Sequence, residues 1–126
     1  MFGFLKKRAE RARQETIDQF NSAIEKLKIA DESVNFSVGH GINMASSFFF
    51  KKFEDVSNFQ LLPKAEKINF VQDLATTGDE VRKKDQLMGL GFSLFKMWIV
   101  AIMQEDMELA KYFSENLSNI SKSCDI

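Results

Sequence analysis

Residues 87–103 read LMGLGFSLFKMWIVAIM and carry a single charge, Lys96. A helix that is apolar around its whole circumference must be surrounded on every side, by protein or by lipid. Lipid asks for about 20 predominantly apolar residues and places an ammonium near mid-membrane, at roughly 2.5–3.5 kcal/mol on insertion scales. Gly89, Gly91 and Ser93 weaken that reading further. Protein asks only for amphipathic neighbours. The stretch therefore reads as the later part of a buried central helix over about residues 79–103, with no transmembrane span. Along it Val81, Asp85, Met88, Phe92, Phe95, Ile99 and Ile102 alternate spacings of four and three. Asp85 is the one polar member of that stripe.

The neighbours are found on both sides. Pro63 suits the first turn of a preceding helix, where its missing N–H costs nothing, and Ile68, Val71, Leu74 and Ala75 line it. Gly78 is expected in a left-handed position that ends this helix, with Asp79 capping the central one. Residues 56–62 are the expected loop before it. Earlier still, a helix starting at Asp31 or Ser33 and ending near residue 55 carries Val34, Val38, Ile42, Ala45, Phe49 and Phe53 at spacings of three and four. Gly39 and Gly41 each cost it about 1 kcal/mol against Ala, enough to break it in two. Ser37, Gly41 and Ala45, spaced by four, instead make a smooth groove for close helix packing, which favours one continuous helix. Gly39-His40-Gly41 has a counterpart in Gly89-Leu90-Gly91, read either as chance or as two helices crossing closely at their glycines. A first helix over residues 4–29 places Leu5, Ala9, Ala12, Ile17, Phe20, Ile24 and Leu27 on one stripe, and a last one carries Leu109, Phe113, Leu117 and Ile120. The expected fold is all-α, a compact bundle of about five helices in one domain, residues 1–126, frayed over 1–5 and 121–126.

Composition agrees with that class. A chain of 126 residues fits one domain, and one Pro with six Gly leaves little turn material for a many-stranded β fold. The single cysteine, Cys124, excludes a disulfide framework and a thiolate-rich metal site; it reads as an incidental thiol in a reducing compartment, and the expected location is the cytoplasm. Apolar residues 2–5 precede Lys6, Lys7 and Arg8, the reverse of a secretory signal. The net charge of −1 argues against nucleic acid. The pair of helices meeting near Gly78 has the outline of a helix-turn-helix, but Asp79 and Glu80 would face the phosphates.

Constellations for catalysis or cofactors are missing. Zinc asks for three or four Cys, His or carboxylate ligands, and a di-iron bundle for two Glu-x-x-His motifs. One His and one remote Cys supply neither, so no metal and no cofactor is expected. There is no phosphate loop, dinucleotide fingerprint or nucleophile elbow, and no enzyme is expected. His40, between two glycines and one turn from Met44, is the one candidate contact for an apolar ligand or haem in an internal cavity. A structural or surface histidine is the plainer reading.

Two features point outward. Phe48, Phe49 and Phe50 cover about 200° of a helix, more than one packing face absorbs, and Phe53 extends them by a turn. With residues 87–103 also apolar all round, a bundle of this size is short of interior. Phe48, Phe49, Phe50 and Phe53 are therefore read either as the core of a helix flanked on two sides or as a candidate protein interface, for a partner or a second copy of the chain. The second feature is Phe2, Phe4 and Leu5 followed by Lys6, Lys7, Arg8, Arg11 and Arg13, an apolar tip with a basic collar suited to weak contact with an anionic membrane or an acidic partner. The leading expectation is a non-catalytic protein-binding module of inhibitor, toxin-neutralising or adaptor type. Peripheral membrane attachment and an internal ligand or haem site are the alternatives.

Overall fold

A computed structural model describes residues 3–122 in full and the backbone of Phe2. Cys124 and the tail expected to fray beyond residue 122 lie outside the described residues, as does residue 1. Six helices follow in order: α1 (Phe2–Lys28), α2 (Glu32–Lys52), α3 (Val56–Gln60), α4 (Lys64–Lys84), α5 (Gln86–Met103) and α6 (Met107–Ser121). No strand occurs among the described residues. The chain divides into two compact units, Met1–Asp31 and Glu32–Ile126.

The first unit is α1. Its stripe is split in burial: Phe20, Ile24 and Leu27 are buried, while residues 3–15 are exposed without interruption.

In the second unit α5 is central, with α2, α4 and α6 packed against it. By length and apolarity α5 would suffice to cross a membrane, with a mean hydropathy of 1.5. Of its residues 44% are buried, and the helices packed against it are α2, α4 and α6. Its buried residues Gly91, Phe92, Leu94, Phe95, Ile99, Ala101 and Ile102 spread over more than one stripe because three helices claim its circumference.

The boundary before α5 differs from the one the sequence suggested. α4 continues through Gly78 and Asp79 to Lys84, and no glycine among the described residues has a positive φ. Gly78 is there for proximity: a Cβ at that position would stand 3.0 Å from Cβ of Phe92 on α5. The polar member of the supposed stripe, Asp85, is the turn itself. It is extended (φ −152°, ψ 108°) and closes α4, its N–H donating to the Val81 carbonyl. It also opens α5, its carboxylate accepting from the N–H groups of Leu87 at 3.0 Å and Met88 at 3.2 Å. One capping aspartate between two helices mimics an i,i+4 stripe in sequence. Asp85→Ala is expected to lower stability by about 1 kcal/mol, read from the midpoint of urea unfolding, with Asp85→Asn recovering most of the loss.

A left-handed residue occurs instead at the other end of α5, and it is Glu105, at φ 60°. It ends α5 in a Schellman turn: Asp106 N–H donates to the Ala101 carbonyl and Glu105 N–H to that of Ile102, both at 3.0 Å. Asp106 then caps α6 through the Leu109 N–H at 3.2 Å.

Residues 56–62, expected as a loop, contain the short helix α3. Asp55 caps it, accepting from Ser57 Oγ and from the Asn58 N–H, and these donors hold its carboxyl below the ordinary value. Phe59, fully buried, pins the segment to the interior. Pro63 stands one position before α4, as its N-cap.

α2 runs unbroken through Gly39-His40-Gly41. Gly41 and Gly91 form the crossing of α2 and α5. A Cβ on Gly41 would overlap the Met88 carbonyl oxygen and lie 2.8 Å from its carbon; one on Gly91 would overlap the Val38 carbonyl oxygen and lie 2.6 Å from the Ile42 nitrogen. Ala45 is fully buried on the same row and Ser37 half-buried. Gly89 serves another contact, since its missing Cβ makes room for Arg82 of α4, whose Cα would be 2.7 Å away.

Candidate functional site

Three successive phenylalanines fit one helix because α2 is flanked on three sides, by α4, α5 and α6. Phe48 is half-buried against Phe70 of α4, with ring centroids 5.7 Å apart. Phe49 points inward and is 0% exposed. Its ring meets those of Phe50 (4.9 Å), Phe53 (5.2 Å), Phe70 (5.6 Å), Phe59 (5.7 Å), Trp98 (6.0 Å) and Phe95 (6.2 Å), mostly edge-on. That is the geometry aromatic quadrupoles prefer. Phe53 is buried too, and the Lys52 ammonium lies 5.9 Å from its centroid and 5.6 Å from that of Phe70. Phe49 and Phe53 are therefore interior residues, which corrects their reading as an interface. The interior they fill includes Phe59, a residue of the supposed loop.

Phe50 alone of the triplet faces out, at 41% exposure. It belongs to a groove of about 320 Å³ bounded by α2, α3, α5 and α6. Ile42, Phe50, Val56, Phe95, Trp98 and Leu117 give the groove its apolar surface. Asn43, Ser46, Ser114, Ser118 and Ser121 supply neutral hydrogen-bonding groups, and no charged residue lines it. The volume is at the small end for ligand sites and suits one or two large side chains. Behind it, Phe95 and Trp98 pack edge-on at 5.2 Å and Phe49 backs both.

The other residues singled out from sequence lie elsewhere. His40 and Met44 are exposed on α2, and His40 stacks nearly parallel on Phe36 at 6.5 Å. Ile42 and Asn43, between them, are the residues of that turn that reach the groove. Phe4 and Leu5 are 70% and 55% exposed, with Lys6, Lys7 and Arg8 exposed beside them. No group of three or more His, Cys, Asp or Glu that could hold a metal occurs among the described residues. A wide depression beside Arg82, Lys83 and Lys84 is cationic. Arg82 and Lys83 pair with Asp79 and Glu80 at 3.4 Å on the open surface, and all three bases answer the C-terminal dipole of α4.

Trp98 and the α6 serines were not singled out by sequence reading. Trp98 was absorbed into the apolar run. Ser114, Ser118 and Ser121 recur at spacings of four and three, which marks a neutral face of α6 and was the available signal. Comparison with protein-family models, with curated proteins and with solved structures finds no match.

Proposed function

We propose that the protein is a non-catalytic binding module whose contact surface is the groove around Phe50 and Trp98, and that its partner is a protein inserting an uncharged, apolar side chain. The observation that carries this reading is the half-exposed Phe50 ring set in a groove without charge, on a chain that is 28% charged. The cores of protein interfaces are depleted of charge and enriched in aromatics, and hot spots form where a large anchor enters a packed, desolvated pocket. Neutral serine and asparagine groups at the margin can be paired or left to water at little cost, unlike stripped charges. None of the lining residues titrates near neutrality, so the groove offers no general acid or base.

The test is site-specific photo-cross-linking in producing cells. Benzoylphenylalanine replaces Phe50, or, as controls, Phe36 or Tyr112, which are exposed aromatics outside the groove. A discrete heteromeric product is expected from position 50 and not from the controls. It should be lost when Ser118, on the groove's α6 side, becomes Arg. The same products from all three positions, or none from position 50, contradict the proposal. A product of twice the chain mass would replace the heterologous partner by a second copy.

A further inference from the structure

The basic and apolar half of α1 is not used by the proposed contact surface. Residues 3–15 are exposed throughout. Leu5, Ala9 and Ala12 share one stripe at spacings of four and three, and Phe4 stands about 100° from Leu5 around the helix, on the far side of Arg8 and next to Arg11. On a helical wheel Arg8 borders that stripe on one side and Lys6 and Arg13 on the other. Lys6, Lys7, Arg8 and Arg11 form no ion pair among the described residues. Residues 1–13 hold five cations against Glu10, a net of +4, on a chain whose total is −1, so the remainder is −5. Charge segregated in this way is complementary to an anionic surface. A solvated helix of this length is also marginal by itself in water, and a surface that accepts its apolar ridge and its cations together stabilises it.

We infer that the first half of α1 lies on an anionic lipid bilayer. Phe4 and Leu5 enter the boundary between head groups and acyl chains, and Ala9 and Ala12 let the helix backbone settle against it. Lys6 and Arg8 lay their methylene stems along the ridge and reach up to lipid phosphates and carboxylates. Arg11 flanks Phe4 on its outer side, and Lys7 adds to the field from farther out. The apolar ridge is small, so the attachment is weak and reversible, and both parts are needed. An acidic protein surface would attract the same cations but would not demand exposed Phe4 and Leu5 beside them; lipid demands both.

The experiment is flotation of the full chain with vesicles of phosphatidylcholine alone or mixed with phosphatidylserine, together with far-ultraviolet circular dichroism. Binding to the anionic vesicles, weakened by added salt, and a gain in helical signal are expected. Lys6→Gln with Lys7→Gln should weaken binding roughly thirtyfold, and Phe4→Ser with Leu5→Ser on the order of tenfold or more. These positions are exposed, so unfolding of the second unit, followed through Trp98, is expected to be unchanged and guards against misfolding. Equal binding to neutral vesicles, or no binding to anionic ones, overturns the inference. So does retained binding by the Phe4→Ser, Leu5→Ser variant together with displacement by soluble polyglutamate, an outcome that assigns the cations to an acidic protein.

Discussion

Phe49→Ala is expected to destabilise the protein by about 3–5 kcal/mol, the usual cost of emptying an enclosed aromatic site. Against a total stability of roughly 5–15 kcal/mol, that is about a fifth or more of what holds the fold. The expectation rests on position. Phe49 is 0% exposed and contacts six aromatic rings, five from α2, α3, α4 and α5 and one, Phe53, just beyond the end of α2. No one helix can move in to fill the space without losing its other contacts, so relaxation is small and the cavity term large. Urea unfolding followed through Trp98, the chain's one tryptophan, measures the loss. A cost below about 1 kcal/mol would mean that the site collapses freely, against the packing described.

Gly91→Ala is expected to cost about 3 kcal/mol, the upper end of overpacking effects, although Ala gains the helix about 1 kcal/mol in propensity. The added methyl would meet backbone, the Val38 carbonyl and the Ile42 nitrogen, rather than a side chain that could turn away. Only separation of α2 from α5 relieves it. Gly41→Ala strikes the same crossing from the other helix, at the Met88 carbonyl. Once one methyl has forced the helices apart, the second costs less, so the double variant should be less destabilised than the two losses added together. Gly3→Ala is the control, with nothing within 4 Å of the new methyl, and no loss is expected from it.

Helix content, the central place of α5 and the glycine crossing at Gly41 and Gly91 were legible in the sequence because each leaves a local mark. Continuous apolarity means enclosure, and small residues spaced by four mean approach. The turn at Asp85 was hidden because an aspartate that caps falls in register with the stripes on either side, while Gly78, which looks like a terminator, sits in mid-helix against Phe92. The Schellman turn was hidden because Glu105 takes a conformation usually given to glycine. For the proposed groove, sequence reading marked the turn of α2 that holds Phe50 without separating the ring that faces out from those that face in. A triplet of phenylalanines shows that α2 is flanked on several sides, but which ring faces out depends on α4 and α6, whose positions no local pattern encodes. Trp98 and the serine face of α6 join Phe50 only through that tertiary arrangement.

The division of the triplet into inward Phe49 and outward Phe50 underlies the proposed contact surface, and the most direct measurement of it is the equilibrium unfolding of Phe50→Gln beside the parent, followed through Trp98. The expected loss is about 1 kcal/mol or less, as for a partly exposed side chain replaced by a good helix former. A loss as large as that of Phe49→Ala would contradict it, because Phe50 would then be part of the interior and the groove would have no ring to present to a partner.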